Sequence, residues 1–229
     1  MSGRHTRRSD ILAVAAELFA RKGVASTTVR DIGDAANIFS GSLYHFFASK
    51  DLIVAEILAT FMEDVHHTFS AAVEEATDAK GAVRGLIGAT LDVIDRHPHA
   101  TTIYQNDRAY LRERGLLEPV DEASRGIREF WMTALNQGVA DGSFRDDVPA
   151  EIFYRSARDT LWSTTHWPIR PRYSTPALAD TIWTMFFDGF AKATVVLENG
   201  VSSTATTSPA GERVPPGGTE PARRTTSGV

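Results

Sequence analysis

Between Ile11 and Phe47 the apolar residues fall at helical spacing in three short runs, joined so tightly that few folds remain open. Ile11, Leu12, Ala15, Leu18 and Phe19 form one stripe, and Gly23 stands where a helix would be capped. Thr28 and Asp31 then have the spacing of a capping box, ahead of an inward face made by Val29, Ile32, Ala35 and Ala36. A turn leads into a third short helix, IFSGSLYHFF, with Ser40 as its expected N-cap. Three short helices in about 40 residues, with a tight turn between the second and third, match a helix-turn-helix.

That arrangement divides the third helix into two sides. Leu43, Phe46 and Phe47 are expected to anchor it inward. Ser40, Gly41, Ser42, Tyr44 and His45 remain on the exposed side. Small residues at the helix start let the backbone approach a major groove, and serine hydroxyls can pair with base edges of either polarity. Tyr44 and His45 can reach phosphates. Lys50 opens a fourth helix, where free N–H groups and the helix dipole favour a phosphate, and Thr28 is the matching candidate at the second helix. Taken as simple caps and core, the same residues would close a small bundle. The adjacent polar placement of Tyr44 and His45 favours contact with double-stranded DNA.

Charge agrees with this division. The net charge is −5, yet residues 1–50 hold seven Lys/Arg against four Asp/Glu, a balance of +3 that leaves −8 on the rest. A basic front end on an acidic body suits a small module facing an anionic polymer. No cysteine is present, which excludes a disulfide scaffold and a thiolate metal site and fits a reducing cytoplasm. No apolar run reaches the roughly 20 residues of a bilayer span, so no membrane partner is expected.

The body continues in helices, without a convincing strand or repeat. Expected spans are about 50–76, 80–97, 99–112, 119–141, 149–166 and 175–196, so the chain reads as all-α with about nine helices. The domain reading is a DNA-binding unit over 1–50, a ligand-binding and dimerisation unit over 51–198, and a disordered tail over 199–229. The tail lacks aromatics and is mostly Gly, Pro, Ser, Thr and charge. In the last helix Ile182, Trp183, Phe186, Phe187 and Phe190 cover more circumference than one core face needs, which points to a homodimer surface; full burial is the other reading. In the helix before it, Tyr154, Arg158, Trp162 and His166 recur at steps of four and form one stripe. Arg, Trp and His together suit a ligand with a flat ring and an anionic group; a cation–π pair closing the helix surface is the other reading. Tyr104, Gln105, Arg128 and Trp131 are candidates to complete that pocket.

The run ILAVAAELFARKGVASTTVRDIGDAANIFSGSLYHFFASKDLIVAEIL resembles the TetR family of bacterial transcription regulators. The matching features, in order, are Phe19 and Gly23, the TTVRDI start, the GSLYHFF helix and SKDL after it. Departures are Phe46, where many members carry a second histidine or a lysine, and Gly33, where alanine is usual and glycine should soften the helix by up to about 1 kcal/mol. The resemblance implies an all-helical homodimer that binds a two-fold-related operator and is released by a small molecule, with the last two helices pairing into a four-helix interface. Repression rather than activation is likewise a family expectation.

The segments IFSGSLYHFFASKD, TIYQND, LNQGVADGSFR and YRSARDTLW are further similar to one subgroup, the actinobacterial regulators of late cholesterol and steroid-ring catabolism. That resemblance implies an acyl-CoA effector carrying a steroid-ring fragment, with Arg158 and Trp162 in its site. A long-chain or aromatic acyl group is the competing reading. An enzyme is not expected: G-x-S-x-G, P-loop, G-x-G-x-x-G and H-E-x-x-H patterns are all missing, and no cofactor or metal is called for. An acyl-CoA-binding module that no longer reads DNA is the remaining alternative, against which the intact front module argues.

Overall fold

The computed structural model describes residues 2–189, and the described chain is entirely helical. Helix α1 (Ser2–Lys22) buries Ile11, Ala15, Leu18 and Phe19, and Gly23 closes it in the left-handed region at φ +80°, its N–H bonded to the Phe19 carbonyl. Helix α2 (Val29–Ala35) starts at the expected capping box: the Thr28 hydroxyl accepts the Asp31 N–H, and the Asp31 carboxylate accepts the Thr28 N–H. Ile32 and Ala36 face inward as expected, whereas Ala35 is exposed. Helix α3 is a single turn, Ser40–Leu43, and its N-cap is Phe39 rather than Ser40. The Phe39 carbonyl already accepts from the Ser42 and Leu43 N–H groups, so the helix begins one residue before a capping side chain is available.

Helix α4 (Lys50–Glu74) is capped by Ser49, whose hydroxyl accepts the Leu52 N–H at 3.2 Å. It runs from the front module into the body, where it packs on α5 (Ala79–Arg96). Pro98 starts α6 (Pro98–Asn106), and a break at Asp107 separates it from α7 (Arg108–Glu113). The single helix expected over 99–112 is therefore two. Helix α8 (Leu117–Ala140) crosses α4 and α5. Helix α9 (Ala150–Ser163) ends three residues earlier than expected, giving way to a 3-10 turn at Thr164–His166 and a second at Arg170–Arg172.

Helix α10 (Thr175–Phe187) packs on α5. The part of the expected helix from 190 to Val196 lies outside the described residues. After Phe187, Gly189 adopts φ +77° and its N–H returns to the Thr184 carbonyl, the geometry of a glycine helix cap. Phe190 and the expected tail at 199–229 lie outside the described residues. One apolar core, including Ile11, Phe19, Phe61, Leu86, Leu161 and Ile182, is continuous from α1 to α10. It fixes the front helices and the body helices to one another.

Candidate DNA-reading head and effector cleft

The reading head follows from what its core leaves outside. Leu43 and Phe47 are buried and Phe46 is half-buried against the core. Ser40, Gly41, Tyr44 and His45 are exposed, and Ser42 is partly so. Nothing lies within 4 Å of the Cβ position at Gly41, so the backbone there is open to a close approach. The division predicted for the third helix is thus the observed one.

Two members of the expected contact set are engaged elsewhere. The Lys50 ammonium, expected at a phosphate, turns inward and donates to the Val24 carbonyl at 2.7 Å and the Thr27 carbonyl at 2.9 Å. It acts as a cationic cap on the loop between α1 and α2, and burial lowers its pKa. The carbonyls of that loop have no helical partners, and a lysine 23 to 26 residues away satisfies them. The Thr28 hydroxyl accepts from the Asp31 N–H and donates to the Asp31 carboxylate at 2.6 Å. These bonds from Thr28, together with Lys22, hold the Asp31 carboxyl far below the usual carboxylate range. Any phosphate contact at Thr28 must therefore use the free N–H groups of the first helical turn.

The expected ligand stripe is partly assembled. A narrow cleft of ≈ 40 Å³ lies between α4, α5, α6, α8 and α9, and Tyr104, Trp131, Tyr154, Arg158 and Trp162 all line it. Tyr104 and Trp162 meet with ring centres 5.7 Å apart, and Trp131 and Tyr154 at 6.2 Å. The Arg158 guanidinium lies 5.7 Å from the centre of the Tyr154 ring, a cation over an aromatic face. Its Nε and one terminal nitrogen share Asp159 Oδ1, at 2.9 and 2.7 Å. Ser124 donates its hydroxyl proton to the Val120 carbonyl, which makes Tyr104 the donor in the 3.2 Å contact between the two hydroxyls. Burial pushes the Tyr154 phenol upward.

Three expected ligand residues stand outside the cleft lining. Arg128 pairs with Glu151 and with Glu129, its guanidinium 5.8 Å from the Tyr154 ring centre. Gln105 donates to the Trp162 carbonyl at 3.0 Å and so braces the end of α9. His166 lies in the 3-10 turn, exposed and in contact with the Thr165 hydroxyl, because α9 ends before the fourth step of the stripe. Met62, Phe69 and Thr90 also line the cleft. Sequence spacing gave no sign of them, since each is an ordinary core position on its own helix.

Helix α6 joins cleft and head. It carries Tyr104 into the cleft, and the residue that caps it, Asp107, accepts the Val24 N–H at 3.0 Å. On α7, Tyr110 donates to Asp51, and its ring lies 5.1 Å from the Lys50 ammonium. Burial and the Asp51 bond push the Tyr110 phenol up to about 12.

An exposed helix-turn-helix on an all-helical body is the architecture of a class of DNA-binding regulators. Residues 11–57 match the model of the bacterial regulatory proteins of the tetR family. The chain is 40% identical over 166 residues to the HTH-type transcriptional repressor KstR2 of Rhodococcus jostii RHA1, covering 72% of this chain and 81% of that protein. Against KstR2 of Mycobacterium tuberculosis H37Rv the identity is 36% over 163 residues, 71% of this chain and 82% of that one. The solved structure of the ketosteroid transcriptional regulator KstR2 of M. tuberculosis superposes with a TM-score of 0.75 at 31% identity, covering 84% of this chain and 97% of that one. The chain belongs to the tetR family of bacterial regulatory proteins. These are regulators and not enzymes, in line with the sequence expectation. Among the described residues no helix is long and apolar enough to cross a membrane.

Proposed function

We propose that the chain is a cytoplasmic repressor that binds a palindromic operator as a homodimer and is released by an acyl-CoA thioester of a steroid-ring fragment. The observation that carries this reading is the cleft itself, which a cation and five aromatic rings line. Fused rings match the flat faces of Trp162 and Tyr104, and a phosphate or carboxylate matches Arg158. The relatives named KstR2, one of them described as a ketosteroid transcriptional regulator, support the steroid class. On the reading head, Ser40, Gly41, Ser42, Tyr44 and His45 are the operator contacts. For the dimer, Ile152 on α9 and Met185 on α10 are exposed apolar side chains, and Trp183 and Phe186 on α10 are half-buried.

The test is fluorescence anisotropy on the promoter fragment of the chain's own gene, titrated with steroid-ring, long-chain and aromatic CoA thioesters. The expected result is binding at low salt, release by the steroid-ring thioester, and an Arg158→Met protein that binds the fragment equally well. That variant should need about ten-fold more effector or beyond, the worth of a lost charged hydrogen bond. Absence of binding at low salt refutes the repressor reading. Release by long-chain or aromatic thioesters alone refutes the steroid assignment and leaves the repressor standing.

A further inference from the structure

Phe39 is the most exposed of the large apolar side chains among the described residues, at 88% of its full surface. A tyrosine in the open keeps a hydroxyl in water, but a phenylalanine has no polar tip, so this exposure brings no compensating solvation. Phe39 is neither in the apolar core nor among the side chains packed against it. The sites beneath α3 where it could retreat are filled by Leu43 and Phe47. Its backbone is also pinned on both sides. The preceding Ile38 N–H is bonded to the Gly33 carbonyl at 2.9 Å, and its own carbonyl accepts the Ser42 N–H at 2.8 Å. The ring is therefore held out at the entrance to α3 by the same bonds that form the turn.

The surroundings select what could meet it. From Phe39 to Tyr44 the exposed side carries Ser40 and Gly41 and no charged group, with Tyr44, 56% exposed, at the far end of the single helical turn. Residues at the start of a recognition helix are the ones that meet base edges. The one apolar group a major groove offers is the thymine methyl. We propose that Phe39 is a specificity-determining side chain that packs on a thymine 5-methyl group in each operator half-site. This inference rests on the DNA-binding reading above and adds a base preference to it.

The experiment begins with the duplex that the wild-type protein enriches from a random-sequence library. That duplex is then made in two forms, one with thymine and one with deoxyuridine throughout. Wild-type protein, Phe39→Ala, Phe39→Leu and a Tyr44→Ala control are titrated against both. The wild type should lose about four-fold in affinity for each methyl contacted, and so on the order of ten-fold for two half-sites. Phe39→Ala should bind the thymine duplex more weakly and lose this preference, while Phe39→Leu, still apolar, keeps most of it. Tyr44→Ala should retain the share that belongs to Phe39. Equal wild-type affinity for both duplexes overturns the inference, as does a methyl preference left intact in Phe39→Ala. Failure to enrich any duplex overturns the DNA-binding reading itself, and this inference with it. Melting curves of the four proteins should coincide within a few degrees, because Phe39 and Tyr44 lie outside the core.

Discussion

Replacing Lys50 with methionine separates a loop-capping lysine from a phosphate-binding one. The structure places the ammonium on two carbonyls, at 2.7 and 2.9 Å, and close enough to Asp107 for the carboxylate to favour its charge. A hydrogen bond to a charged group contributes about 1.5–3 kcal/mol. Both bonds are partly solvated, so their combined loss should cost about 2–3 kcal/mol, with the methionine stem retaining the packing of the lysine stem. For a chain of this size, about 2–4 °C of melting temperature accompanies each kcal/mol, so the midpoint should fall by roughly 4–12 °C. Operator affinity is then measured against salt concentration. Each phosphate contact adds about 0.9 to the slope of log affinity on log salt, so two phosphate-bound lysines in a dimer would contribute about 1.8. With the ammonium turned inward, Lys50→Met leaves that slope within about 0.3 of the wild type while the melting point drops. A slope reduced by nearly two, with an unchanged melting point, would show that the side chain swings out to DNA and would refute the capping assignment.

Two further substitutions test the close contacts around the head. A Cβ at Gly33 would lie 3.0 Å from the Ile38 carbonyl oxygen and 3.2 Å from Ser40 Cα, both backbone atoms of the turn into α3. Gly33→Ala should forfeit the gain of about 1 kcal/mol that alanine brings to a helix, because overpacking costs about 1–3 kcal/mol; a melting point raised by several degrees at full operator affinity would contradict this. Asp107 is the second case, since burial raises its carboxyl above the ordinary value of 3.8. A raised folded-state value means that the ionised group penalises folding at neutral pH, and that the penalty vanishes as pH falls below the unfolded value. Asp107→Asn keeps an acceptor for the Val24 N–H, so at pH 7 it should match or exceed the wild type in urea unfolding. Its advantage should shrink as pH is lowered through the folded and then the unfolded carboxyl range; an advantage that grows on acidification would reverse the assignment.

The residues themselves show why some of this was legible in the sequence. Ile11, Phe19, Leu43 and Phe47 obey helical spacing, and spacing decides which side of a helix meets the core, so the reading head could be divided into an inner and an outer half before any coordinates. Tyr154, Arg158 and Trp162 were found by the same rule. His166 was misplaced by it, because the rule holds only while the helix continues and nothing local marks the stop at Ser163. The inward turn of Lys50 and the need for glycine at 33 escape the rule for another reason. Each owes its role to a backbone segment several residues away or more, the loop at Val24 for one and the turn at Ile38 for the other. Proximity of that kind leaves no periodic trace. Phe39 leaves no sequence signal, because an aromatic beside an apolar run is ordinarily buried, and only its exposure in the structure shows otherwise.

The cleft has room for a few water molecules at most, far less than any acyl-CoA occupies. For a regulator of the kind proposed, that narrowness sets a dose threshold. Effector can enter only the fraction of molecules in which α4, α8 and α9 have parted, and the apparent affinity is the intrinsic one reduced by that fraction. If one molecule in about a hundred is open, half-release needs about a hundred times more effector than the binding contacts alone would require. On that reading the hydroxyl contact between Tyr104 and Ser124 and the ring contact between Tyr104 and Trp162 would set the effector level at which release occurs. Weakening either would make the cell answer to traces of the metabolite, with no change to what the site recognises.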